Sequence, residues 1–483
     1  MDMHFWMQQE QLLKKREKKE NIFNRILLFM IWLSLRVIFG MSGIPFIVMS
    51  AAMFLMALMK VDYALGTIIT LWFLVPSDFF NFMFIASPMG NFPVYIILIV
   101  LFIAVEVLRN MGNIGIKIII SRTELDVFTC FFVIVLCLIM AYGRLGAKEI
   151  IPASVKFLFQ SIAIFFLIKI KRPNSVTIDR LFVYILVIAA FVSVIAIFET
   201  ISGFNIYEIY GIQGYAEWYQ YAMSDNQSWR AKATFGNSLV FSSSLVMCLP
   251  IIEHFRRKGK STWFAIIGLG ILAVGIILSA SRSAVLILGF YIVYYFVKSD
   301  TKHKILFSIL CPIALFVVLS YVDYSLLVSR SSNITSQGSF FHRMNAYGVF
   351  LYLFLDHLIF GVGLGNTYII LQQMITNSFV TNTFDNMFLD TGMALGLVGM
   401  TSLILSVWKI YKHNLKRKYH NAMGLAILVF VLVSFFLNTA KYQSLWGMLW
   451  LYLSIYFFAG SPDENRNQYN IEAFNKPANK KSS

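Results

Sequence analysis

Charged side chains are scarce in this sequence: Asp, Glu, Lys and Arg make up 13% of its 483 residues, against 58% hydrophobic, and the mean hydropathy is +0.71. A soluble domain carries about 25% charged residues, so that class is excluded. Cysteine is rare too. The four present, Cys130, Cys137, Cys248 and Cys311, all fall in apolar runs, which implies no disulfide framework. No Cys/His pairing stands at ligand spacing and no Asp-x-Asp falls in a segment expected to face outward, so metal-independent chemistry without a cofactor is expected. No removable leader is expected either. The first 24 residues, MDMHFWMQQEQLLKKREKKENIFN, hold a charge cluster too long for a signal n-region, and no small-residue cleavage site follows the first apolar run.

What the chain does have is a succession of apolar runs, each roughly 15 to 22 residues long, separated by short charged segments. The runs lie near 26–41, 43–59, 63–77, 93–108, 127–143, 153–169, 181–200, 236–253, 263–279, 283–298, 305–322, 387–408, 422–437 and 442–459. They predict an all-α, polytopic integral membrane helical bundle of about 12–14 transmembrane helices, the lower figure because the second and third runs are short. The net charge of +16 could suggest nucleic acid. Its distribution argues otherwise, since roughly thirty of the cations sit in alternate short loops and the two tails, as the positive-inside rule requires. On that rule KIKRPNSVTIDR, EHFRRKGKS, KSDTKHK and KIYKHNLKRKYHN are cytoplasmic. A basic tail (1–24) and a C-terminal tail (460–483), both cytoplasmic, then flank a transmembrane domain (25–459).

On the opposite side two connections are long, 201–235 and 323–386. Loops beyond about fifteen residues usually carry function or are disordered. The first holds five Tyr and two Trp, and the second holds SFFHRMNAYGVFLYLFLDHLIF, apolar enough to lie on the membrane or dip into it. Both are expected to be ordered caps with amphipathic helices over an outward-facing cavity.

Few cations face outward on this map: Arg144, Lys148, Arg230, Lys232, Arg282, Arg330, Arg343 and Lys441. Arg282 lies in SASRS, a link so short that its guanidinium must sit at the membrane's outer face. There it either meets a phosphate or carboxylate in bidentate fashion or snorkels to lipid headgroups. Arg230 and Arg343 belong to the two long loops, so three arginines over one cavity would suit a diphosphate.

Four segments now stand in order: RAKATFGNS at 230–238, SRSA at 281–284, Arg343 followed by FGVGLG at 360–365, and Asp385-Asn386-x-Phe-Leu ending in GLVG at 399. Together they resemble the O-antigen polymerase and ligase superfamily, over roughly residues 180 to 440. The resemblance implies a glycosyltransferase of the bacterial plasma membrane that uses no nucleotide sugar. Its substrate would be a saccharide on undecaprenyl diphosphate at the outer face. In a polymerase the acceptor is another lipid-linked repeat unit, for O-antigen, capsule or exopolysaccharide; in a ligase it is a terminal carrier. A flippase and a chain-length regulator are partners such a pathway implies. Preorganised cations would stabilise the charge developing on the diphosphate.

The family's ligases usually carry His before Asn where this chain has Asp385-Asn386, which favours polymerase. Asp385 is either a general base toward a sugar hydroxyl or the N-cap of the span that follows. Asn237 and Asn386 either bind sugar and phosphate or cap helices. His342 and His357 either supply a base or pack and hydrogen-bond within their loop. Lys232 adds a cation beside Arg230, and Glu199 either positions Arg230 or marks a helix end. Glu106 is expected to pair with Arg109 within one helix. GVGLG at 361–365 follows no strand and is read as a turn that lets backbone approach the lipid carrier. A flippase or other transporter is the competing class; related halves would give it paired hydropathy and mostly short connections, unlike the loop mass concentrated here.

Overall fold

The computed structural model describes residues 24–33, 43–75, 84–87, 90–111, 121–145, 150–203, 205, 230–259, 262–298, 338–374, 384–415 and 420–458. The apolar run at 305–322, residues 206–229 of the first long loop, and residues 323–337 and 375–383 of the second lie outside that set, as do both tails.

In chain order the helices are α1 (Asn24–Leu33), α2 (Gly43–Leu58), α3 (Tyr63–Leu74), α4 (Val94–Met111), α5 (Arg122–Leu145), α6 (Ile150–Lys171), α7 (Ser175–Ser202), α8 (Ser238–Arg257) and α9 (Thr262–Leu278). They continue as α10 (Arg282–Lys298), α11 (Gly338–Asp356), α12 (Asn366–Met374), α13 (Met387–Asn414), α14 (His420–Phe436) and α15 (Gln443–Phe458). An antiparallel hairpin, β1 (Phe84–Ser87) with β2 (Gly90–Pro93), precedes α4, with Ser87 opposite Gly90. Among the described residues five helices, α5, α6, α7, α8 and α13, are long and apolar enough to cross a membrane, and seven shorter apolar helices accompany them. The protein is a polytopic helical membrane protein. The second long loop contains α11 and α12.

Burial orders the bundle. Within the apolar window of α8, 94% of residues are buried, against 33% for α5, so α8 is central and α5 faces lipid. α15 is the second central helix: Trp446 and Trp450 are fully buried, with Trp446 stacked on Phe157 at 4.9 Å and Trp450 against Phe131 at 5.1 Å. Pro250 bends α8 because it lacks the N–H that a regular helix needs. Ile251 then donates to Cys248, one residue short of the regular acceptor, and the Met247 carbonyl so released accepts Tyr452 Oη at 2.7 Å.

The helices have two chemically distinct ends. One gathers ion pairs: Lys171 Nζ lies 2.7 Å from Asp62 and 2.8 Å from Glu106, Lys169 pairs with Glu124, and Lys258 with Asp179. Buried Glu253 holds Arg256 and Arg257 there, and Arg256 also donates to the Lys298 carbonyl. Glu106 therefore pairs between helices, also accepting Tyr63 Oη at 2.5 Å; the side chain of Arg109, its expected partner, lies outside the described residues. A carboxylate buried at 4% exposure needs a compensating charge, and Lys171 supplies one.

Candidate functional site

The other end holds the residues singled out from sequence. The last turn of α7 carries Glu199, 1% exposed, whose Oε2 accepts the backbone N–H groups of Lys232 at 3.0 Å and Ala233 at 2.7 Å. Asn205 Nδ2 donates to the Ala233 carbonyl at 2.9 Å, and Thr234 Oγ1 donates to the Phe73 carbonyl at the end of α3. Ala231 N–H donates to the Leu278 carbonyl at 3.1 Å, joining this segment to the end of α9. Arg282 opens α10 four residues later, and the start of a helix favours an anion. The segment carrying Arg230 and Lys232 is thus tied to the link carrying Arg282. Arg230 and Lys232 are half-buried and Arg282 is exposed. Both connections contain a left-handed alanine, Ala233 at φ 48° and Ala280 at φ 50°. Such conformations cost about 1–3 kcal/mol each and persist where surrounding bonds over-determine them, as the five bonds above do around Ala233.

The second group surrounds the start of α13. Asn386 caps this helix, its side chain accepting from Phe388 N–H and Leu389 N–H, while its Nδ2 reaches Tyr347 Oη and the Phe435 carbonyl, each at 3.3 Å. The cap is therefore Asn386 and not Asp385, which stands exposed just before it. The preceding residue has to leave the helix axis for Asn386 to fold its oxygen back onto the first turn. Asn237 caps α8 in the same way, accepting Leu239 N–H at 2.8 Å. Arg343 and His342 lie in the first turns of α11, one turn or so before Tyr347, and their side chains fall outside the described residues. His357 is half-buried in the turn after α11.

A glycine pair joins α11 and α12 to α13. Gly396, at φ 65° and ψ −173°, breaks α13 about 14 Å along its axis from Met387. Val362 N–H and Gly363 N–H donate to the Met393 and Ala394 carbonyls, and Leu397 N–H and Val398 N–H donate to Leu358 and Ile359. The broken backbone is thus satisfied by protein, the condition for irregular chain at membrane depth. A Cβ on Gly361 would stand 2.4 Å from Ala394 O, and one on Gly396 would stand 2.4 Å from Gly361 N. The GVGLG segment is accordingly seated against α13 through Gly361, Val362 and Gly363. α11, α12 and the first turns of α13 enclose a small core of their own, including Leu353, Val362, Phe384 and Met393.

Both groups lie at one end of the bundle. Ser244 Oγ, two turns into α8 from Asn237, donates to Ser444 Oγ at the start of α15 at 3.0 Å, and the link before α15 holds Asn438. An apolar cavity of about 330 Å³ opens beside Met387 and Phe388 and runs along α13, α14 and α15 past Leu403, Gly424 and Leu449 to Trp408.

Sequence reasoning missed Asp390 and Asn438, whose side chains meet at 2.7 Å. An ionisable residue inside an apolar run was the available signal for Asp390; nothing local marks Asn438 as its partner. Residues 267–404, which include Arg282, Arg343, Asp385 and both paired glycines, match the family model described as O-antigen ligase. That match supports the O-antigen polymerase and ligase superfamily as the chain's kinship. No curated protein matches the chain.

Proposed function

We propose that this membrane protein of the O-antigen polymerase and ligase superfamily is a polysaccharide polymerase. It joins undecaprenyl-diphosphate-linked repeat units at the outer face of the bacterial plasma membrane, with both termini cytoplasmic. The observation that carries the reading is the Ala231–Leu278 bond, which holds two arginine-bearing links together at the end of the bundle opposite its ion pairs. On this reading Arg230, Lys232 and Arg282 bind the donor diphosphate, with Arg343 and His342 approaching from α11. The cavity beside Met387 receives hydrocarbon of the carrier. The acceptor hydroxyl oxygen attacks the anomeric carbon and its proton passes to Asp385. The anomeric C–O bond breaks with its electron pair on the lipid diphosphate, where the cations balance the charge. Preorganised cations at such a leaving group contribute about 3–4 kcal/mol per donor at favourable sites. No metal or cofactor is assigned to the step.

Transfer to a terminal acceptor, the ligase reaction, is the second reading, favoured by the description of the matching family model. Purified protein in liposomes, given an undecaprenyl-diphosphate-linked repeat unit alone, is expected to yield a ladder of longer products. Transfer only to an added terminal carrier would replace polymerase by ligase. Transbilayer movement of the substrate with no new glycosidic bond would end both.

A further inference from the structure

The buried polar cluster in the first turn of α13 has no part in the step above. Asp390 Oδ2 accepts Asn438 Nδ2 at 2.7 Å, and the same nitrogen reaches the Phe384 carbonyl at 3.5 Å. Two acceptors facing one nitrogen fix the orientation of the amide. Its oxygen, Asn438 Oδ1, is buried and has no donor among the described residues. The two side chains are 9% and 3% exposed, so bulk water does not serve them. The neighbouring donors of Ser434, Thr439 and Asn386 are engaged elsewhere. Ser434 and Thr439 share a hydrogen bond at 2.8 Å and both face Met387 Sδ, while the Asn386 amide reaches Tyr347 and Phe435. The Asp390 carboxyl group keeps acceptor lone pairs beyond the one Asn438 uses.

The cluster therefore presents acceptors to a ligand and asks for donors. A diphosphate esterified at both ends has no proton to donate at neutral pH, whereas a saccharide hydroxyl donates. Asp385, five residues before Asp390, and Lys441, three after Asn438, are exposed.

We propose that Asp390 and Asn438 bind and orient a hydroxyl of the acceptor saccharide, an inference that rests on the glycosyltransferase reading given above. Three measurements on the full-length protein in liposomes test it: melting temperature, binding of sugar-free undecaprenyl diphosphate, and transfer as a function of the concentration of lipid-linked repeat unit. Asp390→Asn and Asn438→Ala are expected to bind undecaprenyl diphosphate within about twofold of wild type while transfer efficiency falls about 10- to 100-fold, the loss typical of a hydrogen bond to a charged group. The exchange variant Asp390→Asn/Asn438→Asp keeps the side-chain pair and so guards against misfolding of the single variants. It is expected to melt like wild type and still transfer poorly. Wild-type transfer by both single variants, or full transfer restored by the exchange, would overturn the proposal in favour of a bridging water or a structural pair. Failure of wild-type protein to bind undecaprenyl diphosphate or to transfer would instead overturn the glycosyltransferase reading beneath it.

Discussion

Ala231 donates its backbone N–H to the Leu278 carbonyl oxygen at 3.1 Å, and this bond joins the segment bearing Arg230 to the link bearing Arg282. Across it, Ala233 and Ala280 both adopt the left-handed conformation that an alanine rarely accepts. The strain is local and the bonds that hold it come from α3, α7 and α9, so the position of the cations is a property of the whole bundle end.

Replacing Arg282 or Arg230 by Ala is expected to lower transfer about 10- to 100-fold each, from roughly 1.5–3 kcal/mol per charged hydrogen bond, with membrane insertion intact. Lys at position 282 restores only part, because an ammonium cannot meet a diphosphate in bidentate fashion. Product ladders from liposomes with matched protein content give the readout; wild-type ladders from both Ala variants would remove the diphosphate site.

Glu199→Ala leaves two N–H groups, those of Lys232 and Ala233, without their acceptor, at a cost of about 1–3 kcal/mol each. Glu199→Gln keeps one oxygen for them. Transfer is expected to fall strongly in the Ala variant and to recover partly in the Gln variant, whereas equal activity in the two would show that the segment holds its shape without the carboxylate.

Asp385→Asn should leave the melting temperature unchanged, because the helix is capped by Asn386. Transfer should nevertheless be lost if Asp385 takes the proton. Asn386→Ala behaves oppositely: the lost cap costs about 1 kcal/mol, visible in thermal unfolding. Full transfer by Asp385→Asn would end its assignment as the base.

Gly396→Ala and Gly361→Ala each place a Cβ against backbone at a positive φ. Left-handed backbone alone costs about 1–2 kcal/mol for an alanine, and contacts of 2.4 Å add to it. Both variants are expected to accumulate poorly and melt lower; wild-type melting of either would mean that the two segments part easily.

Lys171→Met strips the compensating charge from Asp62 and Glu106. Breaking a buried pair from one side costs about 3–5 kcal/mol, so folded protein should fall steeply. Activity per folded molecule should hold, because Lys171 lies at the end away from Arg282. A specific loss of transfer at unchanged stability would contradict that separation.

The sequence alone determined the class of molecule, the approximate spans and the two polar ends. Hydropathy and charge bias act residue by residue along the chain, and apolar runs such as Ser175–Ser202 admit few other environments. It also picked out Arg230, Arg282 and Asp385, because charge is rare and expensive in such a chain. What only the tertiary structure decided is pairing. Whether Asp385 or Asn386 caps α13, that Glu106 meets Tyr63 at a separation of 43 residues, that Gly361 seats against Gly396, and that Asp390 faces Asn438 all depend on which helices lie side by side. Hydropathy is the same for every arrangement that keeps the spans. Hydrogen bonds and close backbone contacts are directional and short-ranged, so they exist only in one.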